Sequence, residues 1–310
     1  MRIAIYGAGG LGAYYGSRLH QAGHDVVFIA RGAHFAAIKA KGLRLISPLG
    51  DAHLTQPVAT DDPATAGQVD AVLVAVKTWQ IPEVARAMRP MLHAGTVVVP
   101  FLNGVDAPAA LDAILGAGHA AGGLSKIFAL IEEPGVIRHF NDAAYVAIGE
   151  LDNRESERIT QLRDAFLDAQ VDVQIPADIN LALWDKLITV TSWAGLGALC
   201  RSPIGELRTD PDIRALISRS MDEAIAVANA IGIAMTDGFK ERLWAFYDAL
   251  PGAATASLMR DIMAGKPSEL DAWNGAVHRF GQQTAVPTPV HSWVYHLLRP
   301  LERRARATDQ

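Results

Sequence analysis

The order of hydrophobic and polar residues divides the chain into two parts of different character. In residues 1–174, short runs of Val, Ile and Leu alternate with helical patterns at 11–21 and 81–92. This alternation is typical of an α/β domain in which helices cover both faces of a parallel sheet. The runs that predict buried strands are Arg2–Tyr6, Val26–Ile29, Ala71–Val76 and Thr96–Pro100.

Two turn motifs interrupt this alternation. Pro48-Leu49-Gly50 predicts a hairpin inserted within residues 43–58. Glu133-Pro134-Gly135 separates two apolar runs, at 125–131 and 136–140, which we expect to pair as antiparallel strands at the end of the first domain.

Beyond an extended segment at 171–176, helical periodicity replaces the strand pattern. We therefore predict an N-terminal α/β domain of residues 1–174 and an all-helical C-terminal domain of residues 175–310. The predicted helices are 179–199, 210–231, 237–249, 254–264, 268–283 and 289–306.

Composition narrows the class of protein. Half of the 310 residues are hydrophobic and a fifth are charged, as in globular proteins. The net charge of −5, without a basic block, argues against a nucleic-acid partner. The longest uncharged apolar run, 187–200, is shorter than the roughly 20 residues of a membrane span, and no secretory signal is apparent.

Cysteine and histidine usage predicts neither disulfides nor a metal site. Cys200 is the only cysteine, which favours a reducing compartment such as the cytoplasm. Because Cys200 ends an apolar run, we expect it to be a buried packing residue. The ten histidines show no metal-ligand spacing.

A glycine-rich segment between the first predicted strand and the first predicted helix carries the clearest chemical signal. Glycines at these spacings permit a tight turn, a close approach of the backbone to a pyrophosphate, and close packing of helix on strand. The pyrophosphate would lie at the positive end of the helix. The sequence therefore predicts a Rossmann-type domain that binds a dinucleotide through Gly7, Ala8, Gly9, Gly10, Leu11 and Gly12.

The end of the second predicted strand indicates which dinucleotide is bound. NAD enzymes place an acidic residue there to bind the ribose, but this chain has Ala30-Arg31-Gly32. A guanidinium can bind a 2′-phosphate through two hydrogen bonds. Arg31 therefore favours NADP(H) over NAD(H).

Polar residues also follow the third and fourth predicted strands. Lys77 and Gln80 follow one, and Asn103 follows the other. Ligands bind at the carboxyl ends of strands in open α/β sheets. We expect Lys77 and Gln80 to contact the cofactor, and Asn103 to orient the nicotinamide or the substrate.

One lysine lies on an otherwise apolar helical face. Lys186 shares this face with Leu183, Val190 and Trp193. One interpretation is a snorkelling side chain. The other, which we prefer, places its ammonium in a cleft between the domains, where it donates a proton to an oxygen that becomes negative during ketone reduction.

Over nearly its whole length the chain resembles the ketopantoate reductase (2-dehydropantoate 2-reductase) family. The resemblance rests on the order and spacing of several short stretches together. They are the Gly7 loop, Arg31, Val76–Gln80, Asn103-Gly104, Pro134–Ile137, Ile148–Glu150, Leu183–Leu187, Ser257-Leu258 with Asp261, Glu269–Asp271 and Asn274-Gly275.

The resemblance implies NADPH-dependent reduction of 2-dehydropantoate to (R)-pantoate in pantothenate and coenzyme A biosynthesis. It implies that Lys186 is the catalytic acid and that Glu269 supports substrate binding and proton transfer. Asn103 and Ser257 correspond to substrate-contacting residues, and Asn103 also to a nicotinamide contact. Related reductases often associate through their helical domains, so a homodimer is one expected assembly.

The chain departs from the family one and two turns beyond Lys186. Typical members have asparagines there, whereas this chain has Val190 and Ala194. Loss of two polar contacts bears on substrate choice, so the main alternative is a paralogous NADPH-dependent reductase of another 2-oxo or 3-oxo acid. Two further alternatives are a non-catalytic NADP(H)-binding sensor and a β-hydroxyacid or sugar-acid dehydrogenase.

Overall fold

The computed structural model of the protein describes residues 1–308, which form two compact units. Unit 1 comprises residues 1–102 and 107–182. Unit 2 comprises residues 103–106 and the chain from Leu183 onward. The short segment 103–106 therefore belongs to unit 2, although unit 1 precedes and follows it in the sequence.

Unit 1 is an α/β unit, as the sequence predicts. Its helices are α1 (Gly10–Gln21), α2 (Gly32–Lys41), α3 (Ile81–Met88), α4 (Ala107–Leu115) and α5 (Glu157–Asp168). Its strands are β1 (Arg2–Tyr6), β2 (Asp25–Ile29), β3 (Leu43–Ile46), β4 (Ala52–Leu54), β5 (Val58–Thr60), β6 (Ala71–Val74), β7 (Val97–Pro100), β8 (Gly122–Lys126), β9 (Ala129–Glu133), β10 (Val136–His139), β11 (Tyr145–Gly149) and β12 (Asp172–Gln174).

The main sheet of unit 1 has five parallel strands in the order β5-β2-β1-β6-β7. The four strands predicted from apolar runs form its centre and one edge. Ile3 of β1 pairs with Val26 on one side and with Ala71 on the other, and all three side chains are buried. The fifth strand, β5, is three residues long and was not predicted, because a run this short carries no periodic signal.

Two smaller sheets, β4-β3-β10-β9 and β12-β11-β8, complete unit 1. The hairpin predicted at Pro48–Gly50 joins β3 to antiparallel β4, and β9 pairs with antiparallel β10, as predicted. The single predicted strand at 125–131 is wrong, because it is two strands in different sheets. The interruption falls at Phe128, whose backbone N–H donates to the Asn141 side chain at 2.8 Å instead of continuing the ladder.

Unit 2 is helical, as predicted. One long helix, α6, begins in unit 1 and continues into unit 2. The helices are α6 (Ile179–Cys200), α7 (Ile204–Thr209), α8 (Pro211–Ala230), α9 (Phe239–Ala249), α10 (Ser257–Met263), α11 (Asn274–Thr284) and α12 (Pro289–Thr308).

Two predictions for unit 2 are corrected by local contacts. Helix α11 begins at Asn274 rather than at 268, because the Ser268 backbone N–H and hydroxyl both donate to the buried Glu302 carboxylate, at 2.8 and 2.5 Å. Cys200 is exposed rather than buried, because it is the last residue of α6, where the apolar face of the helix ends.

A buried polar network in unit 2 holds the start of α12. The Glu223 carboxylate accepts the backbone N–H groups of Val290 and His291, at 2.9 and 3.1 Å. The fully buried His291 ring lies 3.0 Å from the Asn274 amide nitrogen through Nδ1 and 3.0 Å from the Ser220 carbonyl through Nε2. This arrangement suits a neutral ring, since Nδ1 accepts and Nε2–H donates.

Acid should destabilise the fold through His291. Burial lowers the pKa of His291 from 6.5 to about 4. Between these values the unfolded chain binds a proton that the folded chain does not, so the free energy of unfolding decreases as pH falls from about 6.5 through 4, by up to about 3 kcal/mol. Urea unfolding at pH 7 and pH 4.5 measures this decrease. The decrease in the free energy of unfolding should be smaller in the His291→Gln variant. Equal decreases in the wild type and the variant would show that His291 does not cause the effect.

Candidate active site

The glycine-rich segment forms the turn between β1 and α1. Gly7 has a φ of +100°, and a Cβ there would lie 2.6 Å from the Ala75 carbonyl oxygen. The backbone N–H groups of Gly7 and Ala8 both donate to the Ile29 carbonyl at 3.1 Å, which ties the turn to the end of β2. Only glycine satisfies both the dihedral angle and the close approach at position 7.

Gly9 and Gly12 serve different purposes. A Cβ at Gly12 would lie 2.2 Å from the Gly7 carbonyl oxygen, so glycine there is required by packing. A Cβ at Gly9, by contrast, would meet no atom of residues 1–308 within 4 Å, its chain neighbours apart. Gly9 has an extended backbone that any residue can adopt and precedes α1, whose first turn contains no acidic residue. The open space beside N–H groups at a helix N-terminus fits a diphosphate.

Arg31 lies at the start of α2 and is exposed. Burial raises the pKa of the Tyr6 hydroxyl, Glu83 raises it further, and the Arg31 guanidinium lowers it. The positive charge of Arg31 therefore reaches Tyr6, the last residue of β1, directly before the glycine turn. The neighbouring His34 accepts the Gly135 backbone N–H at Nδ1, at 3.0 Å.

Lys77 and Gln80 lie together in the loop that follows β6. The Lys77 backbone N–H donates to Gln80 Oε1 at 3.0 Å, and Lys77 Nζ lies 5.9 Å from the centre of the Trp79 ring. The Lys77 side chain is exposed. The side-chain oxygen Oε1 of Gln80 thus holds the shape of the loop from which Lys77 extends.

In unit 2 the structure brings Asn103 and Glu269 together. Asn103 Nδ2 donates to Glu269 Oε2 at 2.9 Å, although the two residues are 166 positions apart in the sequence. Only 8% of Glu269 is exposed, and a buried carboxylate needs hydrogen-bond donors such as the Asn103 amide. The adjacent Gly104 has a φ of +99°, and a Cβ there would lie 2.8 Å from the Ala272 carbonyl oxygen. The backbone at Gly104 therefore lies directly against Ala272, three residues after Glu269.

Lys186 and Ser257 also belong to unit 2. Lys186 lies in the second turn of α6 and is half-buried, and Ser257 is the first residue of α10 and is also half-buried. One turn beyond Lys186, Val190 packs against the hydrophobic core of unit 2, and Ala194 at two turns is fully buried. The positions one and two turns beyond Lys186 on α6 are therefore apolar.

An ionic network that the sequence did not predict lies beside Asn103 and Glu269. Arg279 of α11 donates from Nη2 to Asp106 Oδ2 at 2.7 Å and from Nη1 to Asp271 Oδ1 at 3.0 Å. Asp106 is three residues after Asn103, and Asp271 is two after Glu269, so both acids neighbour predicted site residues. No spacing in the sequence indicates that Arg279 joins them.

Comparison with known proteins assigns both parts of the chain. Residues 3–153 match the family model described as ketopantoate reductase PanE/ApbA, and residues 178–302 match the model of its C-terminal part. The chain belongs to the ketopantoate reductase family. This family assignment confirms the resemblance and the fold predicted from the sequence, an α/β unit followed by a helical one.

Individual relatives, aligned over nearly their whole length, also belong to this family of oxidoreductases. The chain is 30% identical to the 2-dehydropantoate 2-reductase of Mesorhizobium japonicum, covering 97% of this chain and 98% of the relative. A PanE/ApbA family ketopantoate reductase from Ralstonia eutropha JMP134 superposes with a TM-score of 0.90 at 31% identity, covering 99% of this chain and all of the other.

A more distant structure shares the fold alone. It is a ternary structure of D-mandelate dehydrogenase with NADH and anilino(oxo)acetate, with a TM-score of 0.89 at 22% identity, covering 99% of this chain and all of the other.

Across residues 1–308, no helix combines the length and the apolar character needed to cross a bilayer.

Proposed function

We propose that the protein is an NADPH-dependent 2-dehydropantoate 2-reductase, which produces (R)-pantoate for pantothenate and coenzyme A biosynthesis. The observation that carries this proposal is the hydrogen bond between Asn103 and Glu269 in the unit that also contains Lys186. It joins two of the polar residues that the family resemblance assigns to substrate. Relatives named 2-dehydropantoate 2-reductase, aligned over nearly the whole chain, add support.

The residues of the chain have separate roles in this reaction. The dinucleotide, when bound at the glycine turn, supplies the hydride that reduces the keto carbon. Lys186 donates a proton to the keto oxygen as negative charge develops there, which stabilises the transition state. Asn103 and Ser257 orient the substrate, and Glu269 orients Asn103 and accepts from a substrate hydroxyl.

Arg31 supports NADPH as the preferred dinucleotide. Its exposed guanidinium follows β2 at the position where NAD enzymes bind the ribose with a carboxylate. A guanidinium can bind a 2′-phosphate with two charge-assisted hydrogen bonds. Gly7–Gly12 would hold the diphosphate, and Lys77, which extends from the neighbouring loop, would add a second positive charge.

The apolar residues Val190 and Ala194 favour a second candidate, reduction of a 2-oxo acid without a hydroxyl group. Their side chains offer no hydrogen bond to a substrate hydroxyl, so discrimination would rest on Asn103, Ser257 and Glu269. Ketopantoate and 3,3-dimethyl-2-oxobutanoate differ only by one hydroxyl group, and comparing them separates the two candidates.

A steady-state assay with both dinucleotides and both oxo acids tests the proposal. We expect kcat/KM to be at least about tenfold higher with NADPH than with NADH, and higher with ketopantoate than with its deoxy analogue. Arg31→Ala should remove most of the preference for NADPH, since one lost charged contact is worth about tenfold or more. Lys41→Ala, at the end of the same helix, is the matched control.

Each outcome of this assay has a definite meaning. Equal rates with NADH and NADPH would remove Arg31 from its role. A higher kcat/KM for the deoxy analogue would establish the paralogous reductase instead. Consumption of neither dinucleotide with any 2-oxo acid would contradict the proposed function.

A further inference from the structure

Two loop segments of unit 2 that carry site residues are joined at three adjacent points. The first segment, residues 103–106, is called the Asn103 loop here, and the second, residues 269–272, the Glu269 segment. Asn103 donates to Glu269, Gly104 packs on the backbone of Ala272, and the Arg279 guanidinium connects the last residue of the loop to the segment. Both segments consist of bends and turns rather than helix or strand.

We propose that Arg279 is a positioning residue that sets the Asn103 amide on the Glu269 carboxylate. It acts through Asp106, at the end of the Asn103 loop, and Asp271, within the Glu269 segment. This inference rests on the proposed function for its effect on catalysis. Its structural part, the fixing of the Asn103 loop, stands independently of the substrate.

The geometry of the guanidinium suits this task. Nη2 donates to Asp106 at 2.7 Å, while Nη1 donates to the Asp271 side chain at 3.0 Å and to its carbonyl at 3.1 Å. The rigid fork of arginine holds both partners at once, which a single ammonium does less well. Arg279 thereby fixes the distance between the two segments.

Loss of Arg279 should affect the Asn103 loop more than the Glu269 segment. Asp271 Oδ1 also accepts a hydrogen bond from the Tyr295 hydroxyl at 2.9 Å, so it keeps a partner. Val105 packs against the core of unit 2, but an apolar contact is not directional and does not orient the amide. Without Arg279, the Asn103 loop keeps the packing of Gly104 on Ala272 and the hydrogen bond from Asn103 to Glu269, but it loses the ionic contact at its last residue, Asp106.

The ion pair itself contributes little to stability. The side chains of Arg279 and Asp106 are 37% and 38% exposed, and exposed pairs contribute about 0–1 kcal/mol. A displacement of about 1 Å in a positioning group, however, can lower a rate about a hundredfold. A positioning role therefore differs from a merely structural one in what it predicts for Arg279 variants, namely a large decrease in kcat with a small change in stability.

Unit 2 contains a matched control pair. Arg214 and Asp248 join α8 to α9 through two hydrogen bonds of 2.8 and 3.0 Å, and their side chains are 39% and 48% exposed. Neither residue is adjacent to a proposed site residue. Arg214→Met removes an arginine–aspartate ion pair of similar exposure without touching the Asn103 loop.

The test compares Arg279→Met, Arg279→Lys, Asp106→Asn and Arg214→Met in the full-length protein. We expect Arg279→Met to lower kcat about 10- to 100-fold with little change in the KM for NADPH, Arg279→Lys to recover part of that loss, and Arg214→Met to leave kcat unchanged. Combining Arg279→Met with Asp106→Asn should lower kcat no further than Arg279→Met alone.

Hydrogen exchange of the backbone amides at 103–106 provides a readout that needs no substrate. It should accelerate in Arg279→Met and in Asp106→Asn, and stay unchanged in Arg214→Met. Unchanged exchange and unchanged kcat would overturn the proposal, as would a loss of kcat accompanied by an equal loss in Arg214→Met. If the wild type reduces no 2-oxo acid, the proposed function fails and exchange alone decides the positioning role.

Discussion

Replacing Lys186 with alanine is expected to lower kcat by at least about a hundredfold, the usual contribution of a general acid. Lys186 is the proposed proton donor, and it is half-buried on a helix whose next turns, at Val190 and Ala194, are apolar. Neither Val190 nor Ala194 can donate a proton in its place. Oxidation of NADPH in the presence of ketopantoate, followed by absorbance, measures the loss.

Two further variants make the interpretation specific. Lys186→Arg keeps the positive charge but holds its proton too tightly to donate it, so it should also be slow. The control lysine is Lys240 of α9, whose Nζ lies 2.7 Å from the Asp222 carboxylate of α8, and Lys240→Ala should keep the wild-type kcat. If Lys186→Ala retained the wild-type rate while binding NADPH normally, Lys186 would not be the acid.

Substituting valine at Gly9 is expected to weaken NADPH binding about a hundredfold, or about 2.7 kcal/mol, without destabilising the fold. The extended backbone of Gly9 accepts a side chain, and a Cβ there meets no described atom within 4 Å. The added side chain would instead occupy the space proposed for the diphosphate. Titration of the protein with NADPH measures the Kd, and thermal unfolding measures stability.

Valine at Gly12 provides the contrasting control. Its Cβ would lie 2.2 Å from the Gly7 carbonyl oxygen and 2.9 Å from the Ile5 side chain, and overpacking of this kind costs about 1–3 kcal/mol or more. Gly12→Val should therefore lower the melting temperature, whereas Gly9→Val should not. If Gly9→Val bound NADPH as tightly as the wild type, the glycine turn would not be the diphosphate site.

The parts of the fold that were predictable depend on local physics. Strands such as β1 are continuous apolar runs buried on both faces, and the requirement for glycine at position 7 follows from one turn. The prediction failed where a distant partner decides the structure. The Asn141 side chain divides the run at 125–131, and the buried Glu302 carboxylate delays the start of α11.

The candidate site shows the same limit. Asn103 was identified from its position after the fourth predicted strand, and Glu269 through the family resemblance. Their contact across 166 positions was not predicted, because no local pattern encodes it. Arg279 was missed altogether, since its role depends on two acids, Asp106 and Asp271, that only the fold brings within its reach.

Transfer of a deuterium label tests the central claim most directly. NADPH carrying deuterium at C4 of the nicotinamide, in each of its two configurations, is incubated with the protein and ketopantoate, and the product is analysed by mass spectrometry. We expect one configuration to give pantoate with one deuterium at C2 for each NADPH oxidised. Binding of NADPH without transfer of the label to any 2-oxo acid would contradict the account and would identify the protein as a non-catalytic sensor.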